Sequence, residues 1–269
     1  MENDEFKNNV AIITGASAGI GKELALQLAS RGAMLVLAAR DLKKLKEVAK
    51  ECNVLGAKAI AVKTDVSVKE QCERLIAKAI KQFGRIDSLF NNAGLSMFTR
   101  FDEIKNIDLL EKIMKVNYFG SVYCTYYALP YLKETKGRII GISSLTGKTG
   151  VPTRTAYAAS KHAMAGFFDS LRIELEDSGV SVTMIYPGFV ATEVRERALG
   201  PNGKPLGTSH LNESKVMSAS ECAKQILTAS AKRKRELVMT FKARLGLWIK
   251  LINPNLVDKT SKKSIEKGI

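Results

Sequence analysis

The chain has 269 residues, 45% of them hydrophobic, and a formal net charge of +15 from 42 Lys and Arg against 27 Asp and Glu. That is long enough for a single domain, residues 1–269, with a large buried core, and the composition excludes a disordered chain or a disulfide-stapled miniature. Four scattered cysteines (Cys52, Cys72, Cys124, Cys222) read as reduced thiols, and the two histidines, His162 and His210, are too few for a transition-metal centre, so no metal is expected.

The start, Met1-Glu2-Asn3-Asp4-Glu5, is acidic and polar, unlike a secretory leader, and no apolar run reaches the ~20 residues that span a bilayer. A cytoplasmic protein is expected. The first apolar run, Val10-Ala11-Ile12-Ile13, breaks into Thr14-Gly15-Ala16-Ser17-Ala18-Gly19-Ile20-Gly21 and continues as the apolar-periodic Leu24, Leu26 and Leu28. Strand, glycine turn and helix in that order make a dinucleotide cradle, because glycines let the backbone approach a pyrophosphate while the helix start offers free N–H groups. A second strand from Ala33 to Ala39 ends on Arg40, where an NAD site usually carries an acid. A guanidinium there pairs with a 2′-phosphate and favours NADP(H), the alternative being that Arg40 simply starts the next helix beside Asp41. A third strand near Ala59 leads to Asp65, either an adenine contact or a neighbour of a helix cap.

Further strands are expected at Ile86 to Phe90 and Arg138 to Ser143, the latter delivering the Ser144 hydroxyl to a strand's carboxyl end. Thirteen residues later Tyr157-Ala158-Ala159-Ser160-Lys161 sets a phenol and an ammonium one helical turn apart. A free tyrosine ionises near pH ~10, so proton transfer near neutrality needs a nearby cation, which Lys161 supplies. Strands near Val180 to Tyr186 and Glu236 to Met239 complete an alternation with helices. The fold class is therefore α/β, a Rossmann-type, doubly wound parallel sheet with helices on both faces. The core spans about residues 8–240.

Taken together, these motifs resemble the short-chain dehydrogenase/reductase family at six ordered places: Thr14 to Gly21, Asp65, Asn91-Asn92-Ala93-Gly94, Asn117, Ser144 with Tyr157 and Lys161, and Pro187-Gly188 with Thr192. The resemblance implies a catalytic tetrad of Asn117, Ser144, Tyr157 and Lys161. Tyr157 would act as acid and base, Lys161 would lower its pKa and hold the nicotinamide ribose, Ser144 would bind the substrate oxygen, and Asn117 would support a relay water. It implies cofactor contacts from Gly15, Ser17, Gly19, Ile20, Gly21, Arg40, Asp65, Val66, Asn92, Ala93, Gly94, Pro187, Gly188, Val190 and Thr192. A small carbonyl or alcohol is the implied substrate. The run from Tyr157 to Arg172 is similar to the branch of 11β-hydroxysteroid dehydrogenases and lipid-directed carbonyl reductases, which implies a lipophilic one. Tyr186 before Pro187 departs from the serine common in that branch. The resemblance also implies a homodimer or homotetramer joined through the Tyr157 helix, with Phe167 and Phe168 adding apolar surface.

The insert from Phe189 to Met217, with its Gly and Pro turns, is expected to close over substrate, and Phe98, Leu145, Val151 and Phe189 are candidate pocket walls. The last 38 residues hold eleven Lys or Arg against three acids, leaving +8. Within them Phe241, Leu245, Trp248 and Ile252 share one helical stripe. This extension, residues 241–269, fits either an anionic membrane surface, making the protein peripheral to it, or packing on the chain's own core or a neighbouring subunit. Specific nucleic-acid binding is not expected, since no reader motif accompanies the cations. Two other functions stay open: a 3-ketoacyl reductase receiving an acidic carrier, and a dinucleotide-sensing scaffold without turnover.

Overall fold

The computed structural model describes residues 5–193, 197–207 and 216–266. The strands are β1 Val10–Thr14, β2 Met34–Ala39, β3 Lys58–Lys63, β4 Ser88–Asn91, β5 Arg138–Ile142, β6 Ser181–Tyr186, β7 Val190–Ala191, β8 Met217–Ser218 and β9 Glu236–Val238. Seven of them form one sheet in the order β3-β2-β1-β4-β5-β6-β9, every pairing parallel. All seven expected strands are present. The short β7 and β8 form a separate parallel pair that no periodicity in the sequence announced.

The helices are α1 Gly19–Ala29, α2 Leu42–Val54, α3 Lys69–Phe83, α4 Asp108–Met114, α5 Gly120–Glu134, α6 Thr155–Glu174, α7 Ala219–Ala231, α8 Phe241–Ile252 and α9 Pro254–Glu266. They cover the sheet on both sides. One core unites Leu24 and Leu28 of α1, Leu45 of α2 and Ile226 of α7 with Ala11, Ile13 and Leu35. The opposite core unites Leu75 of α3, Cys124 and Ala128 of α5, and Met164 and Phe168 of α6 with Val10, Ile12 and Ile139. Every residue of β1 and of β5 is buried, as expected for strands with helices on both faces. All four cysteines are buried and free, in line with structural thiols. Among the described residues no group of His, Cys, Asp and Glu is arranged to hold a metal, and no helix is long and apolar enough to cross a membrane. His162 lies exposed on α6 with its Nδ1 2.9 Å from the Ala158 carbonyl oxygen, whereas His210 lies outside the described residues.

Two surface expectations are corrected. Phe168 is fully buried in the chain's own core, because α6 turns that face to Gly141 and Met184, so it adds nothing to an outer surface. Phe167 is half-buried and meets Tyr118 edge-on at 6.1 Å. On α8 the stripe of Phe241 (73% exposed), Leu245, Trp248 (69%) and Ile252 (86%) faces outward, so it does not pack on the chain's own core. Ala243 and Leu247 occupy that inner position instead. Helix α8 is secured by Thr240, whose Oγ1 caps its first turn, and by Lys250, whose Nζ donates to the Lys148 carbonyl at 2.7 Å.

Candidate active site

Chain order reverses between β1 and β4, and the crevice at the carboxyl ends of these two neighbouring strands is where open α/β sheets bind ligands. Every expected site residue lies in an element that begins at this carboxyl edge. Gly15 and Ser17 follow β1, with Gly19, Ile20 and Gly21 opening α1. Arg40 follows β2, Asp65 and Val66 follow β3, and Asn92, Ala93 and Gly94 follow β4. Ser144 follows β5, and Pro187, Gly188, Val190 and Thr192 follow β6. Asn117, Tyr157 and Lys161 come from the helices beyond β4 and β5.

The glycine turn has the shape of an anion cradle. Gly15 and Gly19 have φ of +67° and +55°, a region costly to residues with a Cβ. A Cβ on Gly21 would stand 2.3 Å from the Gly15 carbonyl oxygen, so the turn closes only with glycine there. At the head of α1 no side chain caps the helix and no acid occupies its first turn, which leaves N–H groups and the positive end of the helix dipole to a phosphate. These features fit a dinucleotide. Thr192 faces the same turn, its Cγ2 3.1 Å from where a Cβ on Gly19 would be.

Asn92 acts on the protein's own backbone. Its Nδ2 donates to the Thr14 carbonyl at 2.9 Å, and the Thr14 hydroxyl accepts from the Asn92 and Ala93 backbone N–H groups at 3.0 Å each. The β4 turn thus props the glycine turn from behind. Gly94 gives the next close approach: a Cβ there would be 3.3 Å from Asn117 Oδ1 and 3.7 Å from Lys161 Nζ.

Asn117 sits in a π-helical turn, Lys115–Phe119, that joins α4 to α5. Such a turn breaks the α ladder locally and re-aims a side chain. The fully buried amide accepts from Leu95 N at 2.7 Å and donates to the Leu95 carbonyl and to Ser160 Oγ, each at 2.9 Å. Ser160 Oγ in turn donates to the Tyr157 carbonyl at 2.8 Å, so Asn117 locks the first turn of α6.

Ser144 is extended after β5, its hydroxyl accepting from Thr146 N at 3.2 Å and lying near enough to the Tyr157 phenol to act on its pKa. Burial pushes the Tyr157 pKa up, while the Arg154 cation and the Ser144 hydroxyl draw it back. Lys161 is buried, its Nζ donating to the Ile142 carbonyl at 2.8 Å and lying 5.8 Å from the Tyr157 ring centroid. Burial lowers its pKa to about 8. Two cations thus flank the tyrosine at similar range, Lys161 Nζ at 5.8 Å and Arg154 Cζ at 5.6 Å from its ring centroid, and Arg154 is the one whose charge draws the phenol pKa down. Sequence reasoning missed that residue. Its signal was a charge three positions before Tyr157 at the head of a helix, the spacing at which helical neighbours meet.

Tyr157 packs against an apolar cluster that includes Met97, Leu109, Ile113 and Leu199. Leu199 belongs to the insert after β6, which is pinned to the β4 loop by Phe98 N donating to Leu199 O and Leu199 N to Ser96 O, both at 2.9 Å. Residues 194–196 and 208–215 of that insert lie outside the described residues. A cleft of about 460 Å³ opens beyond β2 and β3, lined among others by Arg40, Asp65, Val116 and Asn202. Asp65 Oδ1 accepts from the Ser67 N–H and hydroxyl, and Arg40 is exposed with no ion-pair partner among the described residues. Leu145 donates its N–H to the Pro187 carbonyl at 2.8 Å, tying the Ser144 loop to the turn after β6.

Residues 9–200 match the short chain dehydrogenase family. This chain belongs to that family. Its members are nicotinamide-dinucleotide oxidoreductases, and the relatives include the 11-beta-hydroxysteroid dehydrogenase-like 4A of Arabidopsis thaliana, 38% identical over 98% of this chain and 87% of the plant protein. Mouse dehydrogenase/reductase SDR family member 7B is 36% identical over 93% of this chain and 79% of its own. Among solved structures, a short chain dehydrogenase/reductase from Burkholderia phymatum in complex with NAD superposes with a TM-score of 0.82 at 25% identity, covering 94% of this chain and 96% of that one. An alcohol dehydrogenase from Thermococcus sibiricus complexed with 5-hydroxy-NADP superposes at 0.73 with 27% identity, covering 86% of this chain and 95% of that one. This short-chain dehydrogenase thus keeps the family's parallel sheet.

Proposed function

We propose that this chain is an NADP(H)-dependent oxidoreductase that interconverts a ketone and a secondary alcohol on a lipophilic substrate. The observation that carries it is the Tyr157 phenol, with the Ser144 hydroxyl beside it and the buried Lys161 and Asn117 behind it. When bound, the nicotinamide supplies or accepts the hydride. Ser144 orients the substrate oxygen, and Tyr157 gives that oxygen a proton in reduction or takes one in oxidation. Lys161 and the Ser160–Asn117 bonds hold Tyr157 in place, so the proton moves at a fixed atom. Apolar Met97, Leu109, Ile113 and Leu199 exclude water beside it, which supports a lipophilic ligand.

Arg40 carries the choice of NADP(H). The residue directly after Ala39 is a cation rather than a carboxylate, and the cleft it borders mixes Lys112 and Lys115 with Asp65, Asp108 and Glu111, so the guanidinium of Arg40 is the group offered to a 2′-phosphate. The outward stripe of α8, flanked by the exposed Lys242 and Arg244, suits an anionic lipid surface that delivers such substrates. The exposed Phe119 and Tyr126 and the partly exposed Tyr118 and Tyr123 of the α5 region suit a homo-oligomer. The deciding experiment follows NADPH and NADH oxidation across a panel of steroid, fatty and short-chain ketones. Turnover of apolar ketones is expected. No turnover of any carbonyl despite cofactor binding would leave a dinucleotide sensor, and preference for ketoacyl thioesters a ketoacyl reductase. Arg40→Ala should weaken NADPH about tenfold or more and leave NADH nearly unchanged.

A further inference from the structure

We propose that Arg154 is a positioning residue for the acid–base step, a permanent second cation held beside Tyr157 by the loop that follows β4. The inference rests on Tyr157 being the acid–base group. Arg154 is 8% exposed, its Nη1 donates to Ser96 Oγ at 2.7 Å, and its Cζ lies 3.9 Å from the Phe98 ring centroid and 5.6 Å from that of Tyr157. Burying a guanidinium is costly, and a neutral amide would bond Ser96 without that cost. Placing the charge between two aromatic faces offsets part of the cost and gives it a direction.

The backbone is shaped to hold it there. Thr153 has φ of +67°, its carbonyl accepts from Thr99 N at 3.0 Å, and the Arg154 carbonyl accepts from Ala158 N at 2.7 Å. The β4 loop and the first turn of α6 therefore meet at this residue. The charged groups facing Tyr157 from its own helix are Arg154 and Lys161. The other elements around it present Leu95 and Met97 from the β4 loop, Leu109 and Ile113 from α4, Ser144 after β5, and Leu199 from the insert. The two cations differ in kind. A desolvated ammonium loses its proton readily, whereas a guanidinium keeps its charge throughout the working pH range. Arg154 thus keeps a positive charge on the phenol at pH values where Lys161 no longer does.

The test is the ultraviolet titration of tyrosinate in the full chain with NADP⁺ bound, each variant read against the same variant carrying Tyr157→Phe, which isolates Tyr157. Arg154→Met should move the titration upward by on the order of one pH unit, about a tenfold loss of phenolate at fixed pH, and Arg154→Lys should restore most of it. An unmoved titration in Arg154→Met overturns the proposal, as does an equal shift in Met and Lys, which would mean packing rather than charge. Should Arg154→Met fail to fold, Ser96→Ala decides: it keeps the charge but loosens it, and a smaller upward shift is expected, no shift being contrary. Full turnover in Tyr157→Phe would instead overturn the acid–base assignment itself. An essential Tyr157 whose titration ignores Arg154 would sink this inference alone.

Discussion

Two regions invert the usual partition of polar and apolar groups, in opposite senses. Around the tetrad, Asn117 and Ser160 are 0% exposed and Lys161 4%, while on α8 Trp248 is 69% and Ile252 86% exposed. Buried polar groups survive folding only when each hydrogen bond is made, and the Asn117–Leu95–Ser160–Tyr157 chain and the Lys161–Ile142 bond make them. Exposed apolar groups need no partner to persist, and a contiguous row of them marks a surface meant for contact. One region gives up stability for geometry. The other withholds apolar burial that a second body would complete.

The comparison breaks or sharpens with three substitutions, given from the largest expected effect on stability to the smallest. Asn117→Ala strands the Leu95 N–H and carbonyl and loosens Ser160. A loss on the order of 3 kcal/mol is expected in denaturant unfolding, with turnover falling in step. Lys161→Met should act in the opposite direction on the fold while abolishing most turnover. Burial lowers the folded-state pKa to about 8 from the ordinary 10.5, so between these values the unfolded chain binds more protons and stability rises with pH. Below pH 8 the buried ammonium costs its full amount, on the order of 3 kcal/mol, and the Met variant should gain stability there that disappears by about pH 10.5. A variant no more stable than the parent at pH 7 would mean that the Ile142 bond offsets the burial. The double variant Trp248→Gln, Ile252→Gln should leave stability within roughly 0.5 kcal/mol, because neither side chain is buried. Its sedimentation with vesicles rich in phosphatidylserine should nevertheless fall about tenfold or more, and unchanged sedimentation would return the stripe to a subunit contact.

The sheet was legible because a strand covered on both faces must be apolar along its length, and runs such as Val10 to Ile13 and Arg138 to Ile142 have no competing interpretation at that length. The glycine turn was legible for steric reasons. The π turn that aims Asn117 was not, since a single extra residue in a helix leaves no mark on apolar periodicity. For Asn92 the motif marks the turn but not the direction of the side chain. Its amide is taken up by Thr14 and Gly15, and pattern alone does not say where a side chain points. Phe168 shows the same limit, as a helix with two apolar faces gives no indication which one meets the sheet. Periodicity found the α8 stripe, yet only packing shows Ala243 and Leu247 turned inward and Trp248 outward. Arg154 escaped because its importance comes from a loop more than fifty positions earlier in the chain, through Ser96 and Phe98.

The Lys250 ammonium grips the Lys148 carbonyl, and Lys148 itself reaches Glu236 at 2.7 Å and lies over the Tyr186 ring. That strap runs from the tail to a loop only four residues past Ser144. A chain trimmed before α8 for ease of handling would lose the strap, so the rates measured on it would belong to a slacker reaction chamber than the one the whole polypeptide builds.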